Sequence, residues 1–430
     1  MKNNQYLVGI TFLLSCFFLQ AQKIDPAINS TAENVEKQVI KWRRDFHQNP
    51  ELSNREFKTA KKIATFLTSL GMEVTENVAK TGVVGILKGK QQGKTVALRA
   101  DIDALPVTEK VDIPFKSTVK TTFLDQEVGV SHACGHDTHT AILMGVAKTL
   151  SSHKNKLNGT VKFIFQPAEE GPPPGEEGGA KLMIKEGVLK NPDVDAIFGL
   201  HINSGTPVGM IRYTPGATMA AVERFVIKVQ GKQTHGSAPW TGVDPVIISA
   251  KIIDGLQTIV SREAPLVKEA AVITVGKITS GVRFNIIPDT AEMIGTVRTL
   301  DTQMRSLIIR RMQEMVPAIA KAYGGEATIE FQNNTAITYN DHKLVKQMLP
   351  TIEGIAGKQN VILAQATTGG EDFSYFQEKV PGFYFFLGGK AIDDTNPPSH
   401  HTPYFKIDES GLLLGVKVLS QLAIDYLNHE

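Results

Sequence analysis

Within nine residues, the stretch 131–139 (SHACGHDTH) carries one cysteine, three histidines and an aspartate, with small residues that let the backbone bend. A thiolate at Cys134 and an imidazole at His136 can hold a transition metal from a single turn, because sulfur and nitrogen donors suit such ions. A C-x-H pair alone is weak: a lone cysteine more often packs as a small hydrophobe, and a lone histidine more often fills a structural role. Its weight comes from what lies downstream. Glu169 and Glu170 follow the β-rich run 160–165, His201 follows the apolar run 196–200, and His400-His401-Thr402-Pro403 follows the run 383–387. One thiol, two carboxylates and two imidazoles, each placed after a strand-like segment, suit two metal ions sharing a bridging ligand, a geometry that clamps a carbonyl and a water together. Adjacent glutamates in extended or turn backbone point in different directions. One can therefore bind metal while its neighbour faces the water as general base, a role that needs a pKa near working pH.

The rest of the chain must position these groups. At 430 residues it is too long for one ordinary core, so two domains are expected. An apolar fraction of 42% and a charged fraction of 21% describe a soluble globular protein. A net charge of +2 with no Lys/Arg-rich block argues against a nucleic-acid partner. Lys2, the apolar run 7–19 and the small-residue zone around Ala21 read as a signal peptide over residues 1–22, implying export to the periplasm or beyond. The competing readings are a retained membrane anchor, for which the run is short, and lipidation at Cys16, against which the apolar Phe17-Phe18-Leu19 speaks. No later segment reads as membrane-inserted. Loss of Cys16 with the leader leaves Cys134 as the single thiol, and a lone thiol in an exported chain calls for a metal or a reactive role.

Periodicity places helices at 31–49, 59–70, 138–150, 344–354 and 409–427, a helical turn or two at 180–185, and strands at 83–87, 95–100, 160–165, 196–200 and 383–387. Cys134 and His136 are read as loop residues, and His201 as the end of its strand. Strands alternating with helices, with polar residues at the strand ends, predict an α/β sheet whose site lies along that edge. Between 216 and 334 the texture changes to a strand at 225–229, a helix at 245–260, strands at 272–275 and 291–297, a helix at 305–323 and a strand at 327–331. This β-α-β-β-α-β order predicts a compact α+β module inserted between the two parts of the main domain, 31–215 and 335–430.

The chain resembles the aminoacylase/carboxypeptidase superfamily of dinuclear metallopeptidases (peptidase M20), in its branch of hippurate and auxin-conjugate hydrolases. The resemblance rests on Arg99-Ala-Asp-Ile-Asp-Ala-Leu-Pro106, His132-Ala-Cys-Gly-His-Asp137, Gln166-Pro-Ala-Glu-Glu170, Gly199-Leu-His201 and His401-Thr-Pro403. Thr234-His-Gly-Ser-Ala-Pro239, Asn285-Ile-Ile-Pro-Asp289, Gly295-Thr-Val-Arg298 and Gly370-Glu-Asp-Phe373 add to it. It implies a zinc-peptidase-like α/β catalytic domain with a mixed sheet flanked by helices, carrying a ferredoxin-like lid that mediates homodimers. It further implies Cys134, His136, Glu170, His201 and His401 as ligands of two divalent metals (Mn or Zn, with Co or Ni as alternatives), Cys134 bridging. Glu169 is then the base and Asp103 an orienting residue behind the site. In the lid, His235 polarises the scissile carbonyl or stabilises the oxyanion, Asn285 hydrogen-bonds the substrate's carboxylate end, and Arg298 adds charge pairing. The implied reaction is amide hydrolysis of N-acyl amino acids or small peptides with a free carboxylate. Gly236 stands where the family usually has alanine, and the loop Pro172-Pro-Pro-Gly175 is long enough to alter the pocket rim. Two readings of other classes remain: a thiol hydrolase with Cys134 as nucleophile, and a non-catalytic solute-binding protein on the same scaffold.

Overall fold

The computed structural model describes residues 24–429. The leader read at residues 1–22, Cys16 included, lies outside the described residues. Four apolar strands form the heart of an eight-stranded mixed sheet: Gly159–Gln166, Lys94–Asp101, Ala196–Pro207 and Gly382–Lys390, all mutually parallel. Gly82–Lys88 flanks them antiparallel on one side, and Glu73–Val78 pairs antiparallel with it at the edge. Ile211–Tyr213 and Val361–Leu363 complete the other.

The near-continuous apolar runs are explained by burial on both faces. Val96, Leu98, Phe163, Phe165, Phe198, Leu200, Phe383 and Phe385 enter one core, shared with the helices Pro26–Gln48, Phe57–Ser69, His136–Ser152, His342–Ala356 and Leu412–Asn428. The alternate residues Ala97, Ile164, Ile197 and Tyr384 enter a second core with Ala180, Met183, Phe373 and Phe376. The strand period of two thus sorts each strand between two helix layers. The C-terminal segment Glu409–Asn428 is long and apolar enough to span a bilayer, but 72% of its most apolar 18-residue stretch is buried inside the fold.

Residues 221–335 form a separate antiparallel sheet in the order Ala271–Ser280, Thr290–Thr299, Ala221–Gln230, Glu326–Thr335. The helices Pro245–Thr258 and Thr302–Ala322 share a core of their own with it, the ferredoxin-like arrangement. Both helices start where their sequence dictates. Asp244 accepts from the amides of Val246 and Ile247 ahead of Pro245, and Asp301 accepts from Gln303 and Met304.

Several element readings are corrected. His136 is the first residue of a helix rather than a loop residue. His201 lies inside its strand, which runs on to Pro207 because Ile202, Ser204 and Thr206 keep alternating inward. The edge strand Glu73–Val78 and the hairpin Lys120–Phe123/Gln126–Gly129, too polar to show an apolar pattern, were not anticipated.

Candidate metal centre

The chemistry-bearing residues gather beyond the C-terminal ends of the parallel strands, where open α/β sheets place their ligands. Gly135 (φ 94) turns the chain into the helix His136–Ser152, and a Cβ there would stand 2.3 Å from Ile202 Cγ2. Only glycine fits that approach, which brings Cys134 and His136 to the same side. Ala168 (φ 52) makes the corresponding turn before Glu169-Glu170, its amide held by Glu56 Oε1 at 2.9 Å. His401 also sits at positive φ (62), its amide bonded to Ala133 O at 2.8 Å. Non-glycine residues held at positive φ at two points around one centre are characteristic of a functional site.

Two donor triads share one atom. Cys134, His136 and His201 offer ligand atoms within 4.8 Å of one another, and so do Cys134, Glu170 and His401. The Cys134 sulfur lies 3.4 Å from His201 Nε2 and 3.2 Å from His401 Nε2, and His401 Nε2 lies 3.1 Å from Glu170 Oε1. His136, Glu169 and Glu170 form a further close group. Two other clusters, Asp101/His136/His139 and Asp101/Glu169/Glu371, draw on atoms already engaged. His139 Nδ1 meets Asp101 Oδ1 at 2.5 Å while its Nε2 accepts from the Ile202 amide, and Asp101 Oδ2 is bonded to Arg99.

The surroundings fix which nitrogen each imidazole offers. His136 Nδ1 donates to Asp103 Oδ1 (3.2 Å), leaving Nε2 buried without a partner. His201 Nδ1 donates to Ile202 O (2.6 Å), freeing Nε2 toward the sulfur. His400 differs: Nδ1 donates to Cys134 O and Nε2 accepts from the Ser204 amide, so neither nitrogen is free. Asp103 also accepts from Ser53 and from the Glu170 amide, tying two donor residues to one carboxylate as in the outer shell of metal sites.

The electrostatics suit cations. Burial disfavours charge on His136, yet Asp101, Asp103 and Glu170 hold a proton there up to about pH 10, the same attraction a metal at Nε2 would feel. Burial and the nearby imidazoles of His139 and His400 push His201 well below its ordinary value, keeping its lone pair available. Burial, then Glu170, Glu169 and Asp101, raise the Cys134 thiol well above its usual range. A cation between those groups would reverse that, since a coordinating thiol is deprotonated. His136 Nε2 is buried with no hydrogen-bond partner, and Glu170 Oε1 meets only His401 Nε2. The donor set therefore fits a pair of divalent ions.

Glu169 Oε2 stands 3.8 Å from His136 Nε2, and its Oε1 accepts from the Asp372 amide at 3.4 Å. Burial and the charges of Glu371, Glu170, Asp372 and Asp101 hold its carboxyl well above the usual range. Behind it the fully buried Arg99 bonds Asp101, Glu371, Asp372 and Gln166.

These groups open on a cavity of about 530 Å³ that also includes Asn203, Arg212, Arg298, Gln365 and His400. Of the lid residues, Arg298 reaches it. His235 and Asn285 do not border it; they lie side by side on the inserted unit, where the short strands Thr234–His235 and Ile286–Ile287 pair and the Gly236 amide bonds Asn285 O. His235 is exposed, its Nδ1 accepting from Ser237. Pro173 and Pro174 border a second cavity of about 490 Å³ that shares Glu170 with the first. Arg212, Gln365 and Asn203 escaped sequence reading because a lone polar residue near a short strand carries no pattern.

Comparison with known proteins agrees with this geometry. Residues 97–425 match the model of peptidase family M20/M25/M40. The chain is 41% identical over 403 residues to thermostable carboxypeptidase 2 of Saccharolobus solfataricus, covering 93% of this chain and 98% of that one. It is 38% identical to the N-acetylcysteine deacetylase of Bacillus subtilis, covering 90% and 96%. Its fold superposes on the Bacillus subtilis YXEP protein, a dinuclear metal-binding peptidase of the M20 family, with a TM-score of 0.77, 35% identity and coverage of 93% and 100%. A fold, a donor set and a match spanning most of the chain converge: it belongs to peptidase family M20/M25/M40.

Proposed function

We propose that the protein hydrolyses the amide bond of N-acyl amino acids, or of small peptides with a free carboxylate, using two divalent ions, Mn or Zn. The observation that carries this reading is Cys134 shared between two donor triads, with Glu169 facing the same space. Cys134, His136 and His201 would hold one ion and Cys134, Glu170 and His401 the other. When bound, such a pair would polarise the carbonyl and lower the pKa of a bound water. Glu169 takes the proton of the attacking water and returns it to the leaving amine. Asp103 holds His136 and the Glu170 backbone in place. Arg298 receives the substrate carboxylate.

His235 and Asn285 are proposed for the oxyanion and the carboxylate end. They act once the inserted unit closes over a centre, its own or that of a second copy in a homodimer. Support for a dimer comes from the apolar residues Trp240, Val282 and Phe284, which are exposed on the same loops. We also propose export through the leader at residues 1–22. A thiol mechanism is disfavoured by the raised Cys134 pKa, since a nucleophilic cysteine needs a lowered one. The test is elemental analysis of the purified protein together with a screen of N-acyl amino acids with and without added Mn or Zn. Absence of bound metal, or activity that survives chelation, would overturn the proposal.

A further inference from the structure

Arg212 is a cavity residue that neither the donor set nor the base accounts for. It occupies the middle of the strand Ile211–Tyr213, in register with Phe386 on one side and Ile362 on the other. Phe386 is in turn in register with His201. Directly opposed residues in a sheet present their side chains on the same face. His201, Phe386 and Arg212 therefore form a row across three strands, and all three line the cavity. Two strand spacings, roughly 10 Å, separate the backbones at the ends of that row. A guanidinium on a long, flexible stem thus starts within substrate length of a donor histidine.

Among the described residues, the Arg212 guanidinium forms neither an ion pair nor a hydrogen bond. Arg298, from the strand Thr290–Thr299 of the inserted unit, opens on the same cavity with a single bond, to Thr368 O at 2.7 Å, and likewise has no carboxylate partner. The cavity's own carboxylates face other groups: Glu371 and Asp372 pair with Arg99, Glu170 with His401, and Glu169 lies against the Asp372 amide and His136. Two half-buried guanidinium groups therefore face the substrate space without counter-ions. Guanidinium is the side chain best matched to a carboxylate, which it can bind through two parallel hydrogen bonds. A substrate with a single carboxylate satisfies one of the pair and leaves the other unpaired.

We infer that the preferred substrates are dianionic N-acyl amino acids, one carboxylate on Arg298 and a second on Arg212. This deepens the amidohydrolase reading and rests on it. The second carboxylate has two possible sources, an acidic amino-acid side chain or a dicarboxylic acyl group, and the test separates them.

Rates of hydrolysis are compared for N-acetylglutamine, N-acetylglutamate and N-succinylglutamine, which place the second carboxylate nowhere, on the amine side and on the acyl side. At least one dianion should exceed N-acetylglutamine in kcat/KM by about tenfold or more, mainly through KM, the scale of one charge-assisted hydrogen bond. In Arg212→Gln that ratio should fall toward one. A ratio taken within one preparation is unaffected by the fraction folded. Calorimetric binding of the favoured dianion to metal-stripped protein supplies the second readout, expected to weaken about tenfold in Arg212→Gln. Equal rates for all three substrates, or a preference that survives Arg212→Gln, overturns the inference while leaving the hydrolase reading intact. If nothing is hydrolysed but dianion binding still depends on Arg212, the anion site stands and the hydrolase reading falls.

Discussion

His400 and His401 are chain neighbours with opposite prospects as ligands, and hydrogen bonding separates them. His400 spends both nitrogens on Cys134 O and the Ser204 amide, and packs its ring against Phe405 at 4.7 Å. His401 directs Nε2 at both Cys134 Sγ and Glu170. Elemental analysis of His401→Ala should therefore show loss of about one of two metal equivalents per chain, whereas His400→Gln should keep both and lose thermal stability instead. The reverse pattern would show that the donor set is misassigned. Glu169 makes a second test at this scale. Glu169→Gln keeps size and hydrogen bonding but removes the basic oxygen, so kcat should drop by about 10²–10⁴-fold. Metal content should stay at the wild-type level, and a variant that keeps its turnover would remove Glu169 from the mechanism.

Among the elements, the turn that presents Glu169 and Glu170 depends on a carboxyl from outside the motif. Glu56, fully buried ahead of the helix Phe57–Ser69, accepts from the Ala168 amide and from Thr81 Oγ1 (2.5 Å). Burial, then the negative charge of Asp103, raises its pKa from 4.5 to about 8. The folded chain therefore keeps a proton that the unfolded chain releases at lower pH. Folding takes up that proton between the two values, and stability falls as pH rises through the window. Glu56→Gln can retain the Ala168 bond and donate to Thr81, so it should show a flatter pH dependence. Melting temperatures from pH 5 to 9 should diverge in favour of the variant as pH rises, and parallel curves would refute the shifted pKa. No periodicity marks Glu56, which shows where sequence reading stops. The parallel strands were legible because burial on both faces leaves an unbroken apolar run, and the inserted unit because its helices carry an amphipathic period, the second closed by Gly324-Gly325. The sites after those strands followed from the same runs. The hairpin Lys120–Phe123/Gln126–Gly129 was not legible, because its strands are short and exposed and hold their pairing through the backbone. The continuation of Ala196–Pro207 past His201 was hidden by polar Asn203, Ser204 and Thr206, whose partners include Pro398 and one another.

For the molecule as a whole, the open question set by the geometry is what covers the inserted unit. Trp240 (81% exposed), Val282 (99%) and Phe284 (95%) stand on two loops that the Gly236–Asn285 bond holds together, beside His235 and Asn285. Large apolar side chains grouped next to chemistry-bearing ones mark a surface that becomes buried during function. If closure within one chain were sufficient, the protein would work as a monomer and these residues would serve only the closed state. If a second copy covers them, the sedimentation mass should be about twice that of the chain. A Val282→Ser/Phe284→Ser double variant should then shift toward monomer and lose kcat in step with dimer content. Raising protein concentration should restore activity by mass action in the second case and change nothing in the first. A wild-type monomer with full specific activity at nanomolar concentration would exclude the dimer, and would leave His235 and Asn285 to act through hinge closure of their own chain.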